Sequence, residues 1–429
     1  MSHEPLAPLV ERLFREESAR LTALLTRLLG PAHLELAEDV TQEAFIAALR
    51  HWPRTGTPAA PSAWLLQVAR RKAIDALRRD RLLADRLPAV AAAFDDAVAR
   101  ADRAGNDADA VDDPFADDRL RMILLCCHPA VSLESRVALT LKTVGGLSVG
   151  EIARAFLAEE SAVAQRLVRA KRALRDAGAR FEMPEGPALE ERLDAVLEVL
   201  YLMFNEGHLA HEGDALVREE LSVEAIRLAE LLLTHAATRT PRTSALAALF
   251  CFHAARFASR VDAGGALVRL PNQDRARWDQ RLITRGFRHL DVAASGDGVT
   301  PFHVEAEIAS LHATAPTWAA TDWRRIVAAY DALFALNPSP VVGLNRVVAI
   351  RELAGDATAL AELSQLGPQA ALEGYHLYHS VHGELLAALG RTEAAHAAWS
   401  RARALVRSVP GRRFVDARLA ETDPMSISG

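Results

Sequence analysis

The sequence predicts an all-α protein, and two observations carry that prediction. Apolar residues recur every three or four positions along most of the 429 residues, and no strand-like alternation persists. Half of the residues are hydrophobic and a quarter are charged, so a packed core is expected, and the length suits about three domains. The formal net charge of −6 argues against a surface that is basic throughout.

The cysteines and the N-terminal residues indicate a protein of a reducing compartment. Cys126 and Cys127 are adjacent and Cys251 lies in an apolar helix, which fits neither a disulfide framework nor a zinc site. The N-terminus lacks a basic segment followed by an apolar core, so no signal peptide is expected. The longest apolar run, residues 195–204, is interrupted by Glu198 and is too short to span a bilayer. We therefore expect a cytoplasmic protein that does not enter the membrane.

The helix predicted from Ser62 to Arg81 has one apolar and one basic face. On a helix of 3.6 residues per turn, its apolar stripe comprises Leu66, Ala69, Ala73 and Leu77. Its polar side carries Trp64, Arg71, Lys72, Asp75, Arg78 and Arg79. Cations neutralise phosphates and an indole can stack on an unpaired base, so this face suits a nucleic acid. A solvated helix face with a half-buried tryptophan explains the same residue types equally well.

Acidic and amide residues form a cluster on the preceding helix, which is predicted over residues 34–52. Its polar side carries Glu38, Asp39, Gln42 and Glu43. Such a cluster can dock on a basic partner, although an ordinary solvated helix has the same composition. An amphipathic helix is predicted over residues 4–29, and the Pro-rich residues 53–61 are predicted to form a loop before Ser62 caps the next helix.

The charge changes sign after this basic helix. Residues 50–86 contain nine Arg or Lys against three Asp, whereas residues 87–118 contain nine Asp against two Arg. Residues 87–116 are rich in Ala and Asp and poor in large apolar residues, which predicts an acidic flexible linker that can include a short helix.

A second unit of helices, residues 117–182, has a helix-turn-helix pattern. A short helix capped by Ser148 runs over residues 149–156, and after a turn a longer basic helix runs over residues 161–177. On the longer helix, Val163, Leu167, Ala170 and Leu174 make the predicted buried stripe. Its other side carries Ser161, Gln165, Val168, Arg169 and Arg172, side chains that can contact base edges. Helical bundles without a nucleic-acid ligand can have the same spacing.

The remaining residues, 188–429, are predicted to form an all-helical extension. Gly355 and Gly390 each close an Ala/Leu-rich helix, and two stretches partly match the large and small positions of tetratricopeptide (TPR) repeats. These positions are Ile326, Tyr330, Leu333 and Pro338 in one copy and Gly383, Ala395, Trp399 and Ala402 in the other. We therefore predict degenerate helix-pair repeats.

An enzymatic function has little support in the sequence. Glu206, His208 and His211 could hold a metal, but Gly207 and Gly213 favour a turn between helices, and no further ligand is specified. No nucleophile, phosphate loop or paired-carboxylate motif stands out. We expect no enzyme, no metal and no cofactor.

Three motifs resemble sigma factors of the extracytoplasmic-function type, within the sigma-70 family. AEDVTQEAF (residues 37–45) resembles region 2.2, AWLLQVARRKAIDALRR (63–79) resembles regions 2.3–2.4, and LSVGEIARAFLAEESAVAQRLVRAKRALR (147–175) resembles region 4. The stretches YLMFNEGH, QDRARWD, TDWRRIVAAYDAL and NPSPVVGLNRVVAI resemble the extension of the subgroup with a TPR-like C-terminal domain. Lys72 departs from the family, in which Asn is common, and Leu386 stands where a repeat would place Tyr.

The resemblance implies a function and a set of partners. Residues 1–86 would be region 2, which binds core RNA polymerase and the −10 promoter element, and residues 117–182 would be region 4, which binds the −35 element. Core polymerase, through its β′ clamp and β flap, and promoter DNA would be the partners; the extension would regulate the factor in cis and could bind a protein or peptide. The implied contacts with the −10 element are Trp64, Arg70, Arg71, Lys72, Asp75, Arg78 and Arg79. The implied contacts with the −35 element are Ser161, Gln165, Arg166, Val168, Arg169 and Arg172. The implied contacts with polymerase are Glu38, Asp39, Gln42 and Glu43.

A stand-alone helix-turn-helix regulator with a TPR-like sensor is the alternative function. Such a regulator would not need the acidic motif at residues 37–45 next to a basic helix that carries a tryptophan. That pairing favours the sigma factor.

Overall fold

The computed structural model describes residues 6–79, 87–106, 116–156, 158–208, 219–262, 268–366, 370–406 and 409–422. The chain divides into two compact units, which comprise residues 1–202 and residues 203–429. The described residues form α-helices and short 3-10 turns without a β-strand, as the all-α prediction requires. None of the described helices combines the length and the apolar character needed to cross a membrane.

The first nine helices begin and end as follows: α1 (Leu6–Leu29), α2 (Leu34–Thr55), α3 (Pro61–Arg79), α4 (Leu87–Asn106), α5 (Ala116–Cys126), α6 (Leu133–Thr143), α7 (Val149–Ala155), α8 (Glu160–Asp176) and α9 (Pro187–His208). The loop predicted at residues 53–61 is shorter than expected, because α2 continues through Pro53. Proline lacks a backbone N–H, so the helix loses one hydrogen bond near its end and still continues to Thr55. Ser62 does not cap α3, because the helix already begins at Pro61, a residue suited to the first helical position.

Helices α1 to α4 share one hydrophobic core. The predicted stripe of α3 is buried in it, together with Phe45 and Trp52 of α2. The prediction of a flexible linker is wrong for residues 87–106, because these residues form α4, a helix of 20 residues. Val90, Phe94 and Ala97 of α4 are buried in the same core, and their spacing of four and three residues places them on one face. Residue 116 begins α5, and residues 107–115 lie outside the described part.

Helices α6, α7 and α8 form the predicted helix-turn-helix. Ser148 caps α7: its hydroxyl accepts from the Glu151 N–H (3.1 Å) while the Glu151 carboxylate accepts from the Ser148 N–H (2.7 Å). The predicted stripe of α8 is buried. Helices α5 and α6 pack on α1, and α8 packs on the 3-10 turn Pro31–His33, so the two predicted modules form one compact unit in this structure.

The second unit follows with α10 (Glu219–Thr234), α11 (Pro241–Ala254), α12 (Gln280–Ala293), α13 (Pro301–Thr314), α14 (Trp323–Leu336), α15 (Pro340–Ala354), α16 (Asp356–Gln365), α17 (Ala370–Glu373), α18 (His376–Ala388), α19 (Thr392–Leu405) and α20 (Val409–Glu421). Consecutive helices pack as pairs, notably α14 with α15 and α18 with α19.

One predicted small–large contact and two predicted turns are visible in these pairs. Gly383 lies against the buried ring of Trp399, where an added Cβ would stand 2.9 Å from the indole. Gly355 and Gly390 adopt φ values of +85° and +71° at the turns after α15 and α18, which a glycine adopts without strain. These features fit helix-pair repeats, while the assignment to the TPR class stays a prediction.

Candidate nucleic-acid interface

The polar side of α3 is exposed, and part of its positive charge is already paired. Arg71 and Arg78 are exposed, and Arg71 forms no ion pair with another described residue. The guanidinium of Arg70 pairs with Asp95 of α4, 2.9 Å from Nε to the carboxylate. The Lys72 ammonium pairs with Glu43 of α2 at 2.9 Å, with both side chains about half exposed.

The remaining charged residues of this face contact one another. The Arg78 guanidinium lies 3.9 Å from the Asp75 carboxylate, and Arg79 Nε donates to the Asp75 carbonyl oxygen (3.1 Å). Asp75 therefore reduces the positive potential at the centre of the face.

Trp64 is half-buried at the edge of the α1–α4 core. Its ring stacks on His51, with centroids 5.8 Å apart and planes within 15°, and it meets Trp52 edge to face at 5.4 Å. One face of the indole is thus covered by His51, a residue that the sequence reasoning did not single out. A half-buried tryptophan is also what the interpretation of this side as an ordinary solvated helix face predicts.

The acidic face of α2 differs from the predicted one at its first residue. Asp39, Gln42 and Glu43 are exposed, but Glu38 is 8% exposed and faces the helix-turn-helix. Its Oε2 accepts a charged hydrogen bond from Lys171 Nζ of α8 at 2.6 Å. Glu38 was predicted to contact a partner protein; in the structure described Lys171 holds its carboxylate, and the partner contact stays a prediction.

Two apolar residues extend the exposed face of α2. Ile46 is 45% exposed and Leu49 is 49% exposed. The series Asp39, Gln42, Ile46 and Leu49 has spacings of three, four and three residues, which places all four on one face. Their position on the polar side was the available signal that sequence reasoning missed. The face therefore combines carboxylates with exposed aliphatic side chains, as protein-binding surfaces often do.

The outer side of α8 is largely open. Ser161, Gln165, Arg169 and Arg172 are exposed, and Val168 exposes 58% of its surface. Gln165 and Arg169 have no ion pair or side-chain hydrogen bond with another described residue. This side can present an amide, a guanidinium and a methyl-bearing side chain to a DNA groove.

Two cations of α8 are paired instead. Arg166 is partly buried and pairs with Glu134 of α6 at 3.3 Å, so it lies between the two helices rather than on the outer side. Arg172 pairs with Asp176 one turn later at 3.4 Å, and both of these side chains remain exposed.

In the second unit, a group of potential metal ligands proves to bind a guanidinium. One ligand atom each of Glu230, Cys251 and His289 lies within 4.8 Å of the others. The Arg285 guanidinium, however, lies 3.5 Å from the Glu230 carboxylate, and burial raises the pKa of the Cys251 thiol to about 11. In this structure the Arg285 guanidinium is therefore a cation that the Glu230 carboxylate binds. Of the other candidate group, His211 and the side chain of His208 lie outside the described part.

A cavity of about 350 Å³ opens within the second unit, between α14, α15 and α18. Trp318, Trp323 and Tyr330 line it, and the Trp318 indole N–H donates to the Glu352 carboxylate at its rim (2.9 Å). Burial and the nearby arginines lower the pKa of His312, also in the lining, to about 3, so this imidazole is neutral at physiological pH. The lining residues come from segments far apart in the sequence, so no local pattern predicts the cavity.

Three families match separate parts of the chain. Sigma-70 region 2 matches residues 13–82, sigma-70 region 4 matches residues 121–174, and a family of unknown function (DUF6596) matches residues 192–294. The first match contains α3, and the second contains α8 except for its last two residues.

Similar proteins cover the chain to different extents. An uncharacterized protein of Rhizobium meliloti (strain 1021) is 41% identical over 412 residues, 94% of this chain and 93% of that protein. The ECF RNA polymerase sigma factor SigL of Mycobacterium tuberculosis is 31% identical over 170 residues, 39% of this chain and 88% of that protein. No solved structure gives a significant match.

Proposed function

The chain belongs to the sigma-70 family of RNA polymerase sigma factors, and from this premise we propose that it is a factor of the extracytoplasmic-function type that directs core polymerase to a particular set of promoters. The observation that carries the proposal is the placement of three faces. Within residues 1–202, α2 presents an acidic and apolar face, α3 a basic face beside an indole, and α8 an open face of a helix-turn-helix.

The basic face of α3 is the proposed contact with the −10 element. Arg71, Arg78 and Arg79 are exposed and suited to the phosphates of a melted strand. Lys72 and Arg70 can join them, because exposed ion pairs are worth only about 0–1 kcal/mol and exchange readily for a phosphate. Trp64 offers a base the ring edge and the face that His51 leaves uncovered.

The outer side of α8 is the proposed reader of the −35 element. Gln165 is suited to an adenine, Arg169 or Arg172 to a guanine, and Val168 to a thymine methyl group. Arg166 has a different role in this proposal: its pairing with Glu134 holds α8 on α6.

The exposed face of α2 is the proposed contact with the β′ clamp. Asp39, Gln42 and Glu43 supply charge complementarity to a basic partner, and Ile46 and Leu49 supply apolar area that becomes buried. Region 4 is proposed to contact the β flap.

The extension is proposed to act in cis on this factor. The N-terminal part of α9 belongs to the first unit, where Arg192 donates to the Leu124 carbonyl oxygen of α5 at 2.7 Å and Leu193, Val196 and Leu197 are buried. Removing the extension at its first residue would therefore also remove part of the packing around region 4. We assign a protein or peptide ligand of the extension to the 350 Å³ cavity, whose aromatic lining accepts apolar side chains.

Promoter-dependent transcription with purified core polymerase tests the proposed function. The full chain should co-elute with core polymerase and direct transcription from its own promoters, and a stand-alone regulator would do neither. A chain truncated after Phe181 should lose this activity. Arg192→Ala in the full chain should also reduce promoter-dependent transcription. Glu191→Ala, a change at an exposed neighbour, should leave it unchanged. Full activity of the truncated chain, with unchanged promoter choice, would refute regulation in cis.

A further inference from the structure

Two segments of the second unit bring two arginines to one buried indole. The Asp279 N–H donates to the Ala255 carbonyl oxygen at 2.9 Å, which joins the two segments. The guanidinium carbon of Arg275 lies 4.7 Å from the centre of the Trp278 ring, and that of Arg256 lies 5.8 Å from the same centre. The tryptophan is only 4% exposed. We call Arg256, Arg275 and Trp278 the arginine–indole cluster.

Each residue of the arginine–indole cluster has a buried N–H group without an acceptor among the described residues. These groups are Arg256 Nε, Arg275 Nη2 and Trp278 Nε1. The other terminal nitrogen of Arg275, Nη1, donates to the backbone carbonyl oxygens of His312 and Ala315, at 2.7 Å to the latter. The backbone thus holds this guanidinium in place while three donors stay unused. Buried donors are nearly always paired in native proteins, so three at one place call for an acceptor.

The positive charge of the cluster has no counterpart in the described residues either. Neither Arg256 nor Arg275 forms an ion pair with a carboxylate of the described part of the chain. Burial lowers the pKa of both, and the charges of Arg260 and Arg275 add to this effect on Arg256, whose pKa falls to about 9. Both therefore remain cations at neutral pH. Asp274 and Asp279, which flank the second segment, instead accept from backbone N–H groups at the starts of the turn 275–277 and of α12.

A ligand that completes the cluster must accept several hydrogen bonds and carry negative charge. Water could accept from the donors, but it would leave both cations without a counter-ion. A phosphate monoester carries about −1.5 to −2 charges near pH 7 and presents three strong acceptor oxygens. Its charge matches two guanidinium groups and its oxygens match three donors, whereas a carboxylate offers a single charge and two oxygens.

From this match we infer that the arginine–indole cluster is an anion site that binds a phosphate group, either free or carried by a small monoester. Because both cations lie within 5.8 Å of one ring centre, a single oxyanion at the edge of that ring can reach both. Arg256 and Arg275 each keep part of their surface exposed, which gives an ion a path from solvent. The site lies within the second unit and does not depend on promoter recognition by the first.

The cluster also touches the wall of the 350 Å³ cavity. His312 lines that cavity, and its backbone carbonyl accepts from Arg275. Burial lowers the pKa of His312 to about 3, and the charges of Arg256 and Arg275 contribute to this shift, so both cations lie near this wall. A phosphate bound to Arg275 would restrain residues 312–315 through the same guanidinium. The anion should therefore stabilise one end of the cavity.

Hydrogen exchange of the full chain in the presence of inorganic phosphate tests the site. The measurement must be local, because exposed cations of α3 and α8 can also bind phosphate. Phosphate should slow exchange in residues 268–278 and 312–318, whereas acetate at the same ionic strength should not. Stronger protection by glycerol phosphate would identify a monoester as the ligand, and equal protection would identify free phosphate. Absence of local protection by either compound, or equal protection by acetate, would overturn the inference.

Three variants separate binding from folding. Trp278→Phe keeps an aromatic ring and removes the N–H, so it should weaken phosphate binding by about tenfold to a hundredfold, the worth of one charged hydrogen bond. Arg256→Met removes a cation without a counter-ion, so it should abolish the protection by phosphate without lowering the unfolding temperature in phosphate-free buffer. Arg277→Met, at an exposed position of the same turn, is the matched control and should bind phosphate normally.

Two results with these variants would contradict the site. Phosphate protection that persists in both Trp278→Phe and Arg256→Met would place the anion elsewhere. A lower unfolding temperature of Arg256→Met without phosphate would show that the free chain already balances this charge.

Discussion

Replacing Phe94 with alanine tests whether α4 is a structural part of region 2. The ring of Phe94 is fully buried among residues of α1, α2 and α3, so its removal leaves a cavity in their common core. Such Phe→Ala changes destabilise proteins by about 3–5 kcal/mol, which increases the unfolding equilibrium constant by about two to almost four powers of ten. A domain of ordinary stability, about 5–15 kcal/mol, would lose a large share of it.

Hydrogen exchange followed by mass spectrometry is the suitable assay, because it reports α1–α4 separately from the rest of the chain. Phe94→Ala should accelerate exchange in α2 and α3 as well as in α4, since all of them share the core. Asp96→Ala, two residues away on the exposed side of α4, is the control and should leave exchange in α2 and α3 unchanged. Protection of α2 and α3 that is unaffected by Phe94→Ala would refute the structural role of α4.

The remaining predictions concern the two helices proposed to bind DNA and the thiol of Cys251. Arg78→Ala and Trp64→Ala should impair promoter opening but not binding to core polymerase; normal permanganate reactivity at the −10 region in both variants would contradict this. Gln165→Ala should change base preference at one or two positions in a randomised −35 library, whereas loss of a phosphate contact would weaken binding to all sequences alike; an unchanged library profile for Gln165→Ala argues against base readout. Because burial holds the pKa of Cys251 near 11, its thiol should react slowly with iodoacetamide at pH 8 and quickly once urea unfolds the protein; rapid labelling of the native chain would show that this site opens.

The helices that follow one regular period were predictable from the sequence. The buried stripes of α3 and α8 agree with the structure because a period of 3.6 residues determines which side chains share a face. The cap of α7 was predictable for a similar reason, since Ser148 and Glu151 have the spacing of a capping box.

Features that depend on distant partners were not predictable in this way. The position of Glu38 on α2 suggests an exposed carboxylate, but Lys171, 133 residues later, covers it. Helix α4 was missed because its Ala- and Asp-rich composition outweighed the three-residue stripe of Val90, Phe94 and Ala97. The cavity of the second unit requires residues of several helices to meet, which the period of any one helix does not reveal.

The two carboxylates that pair with α3 have a consequence for the salt dependence of DNA binding. Glu43 and Asp95 neutralise Lys72 and Arg70 while the protein is free, as bound chloride or another small anion would otherwise do. When a phosphate takes over one of these cations, the displaced carboxylate stays beside the DNA and attracts cations. This offsets the release of the cations condensed on the duplex, so these two side chains should add little to the slope of log K against log salt. Glu43→Gln and Asp95→Asn should therefore strengthen binding to DNA of any sequence and steepen its decline with salt. In the native protein, the same carboxylates would limit attachment to the many irrelevant sites of a genome.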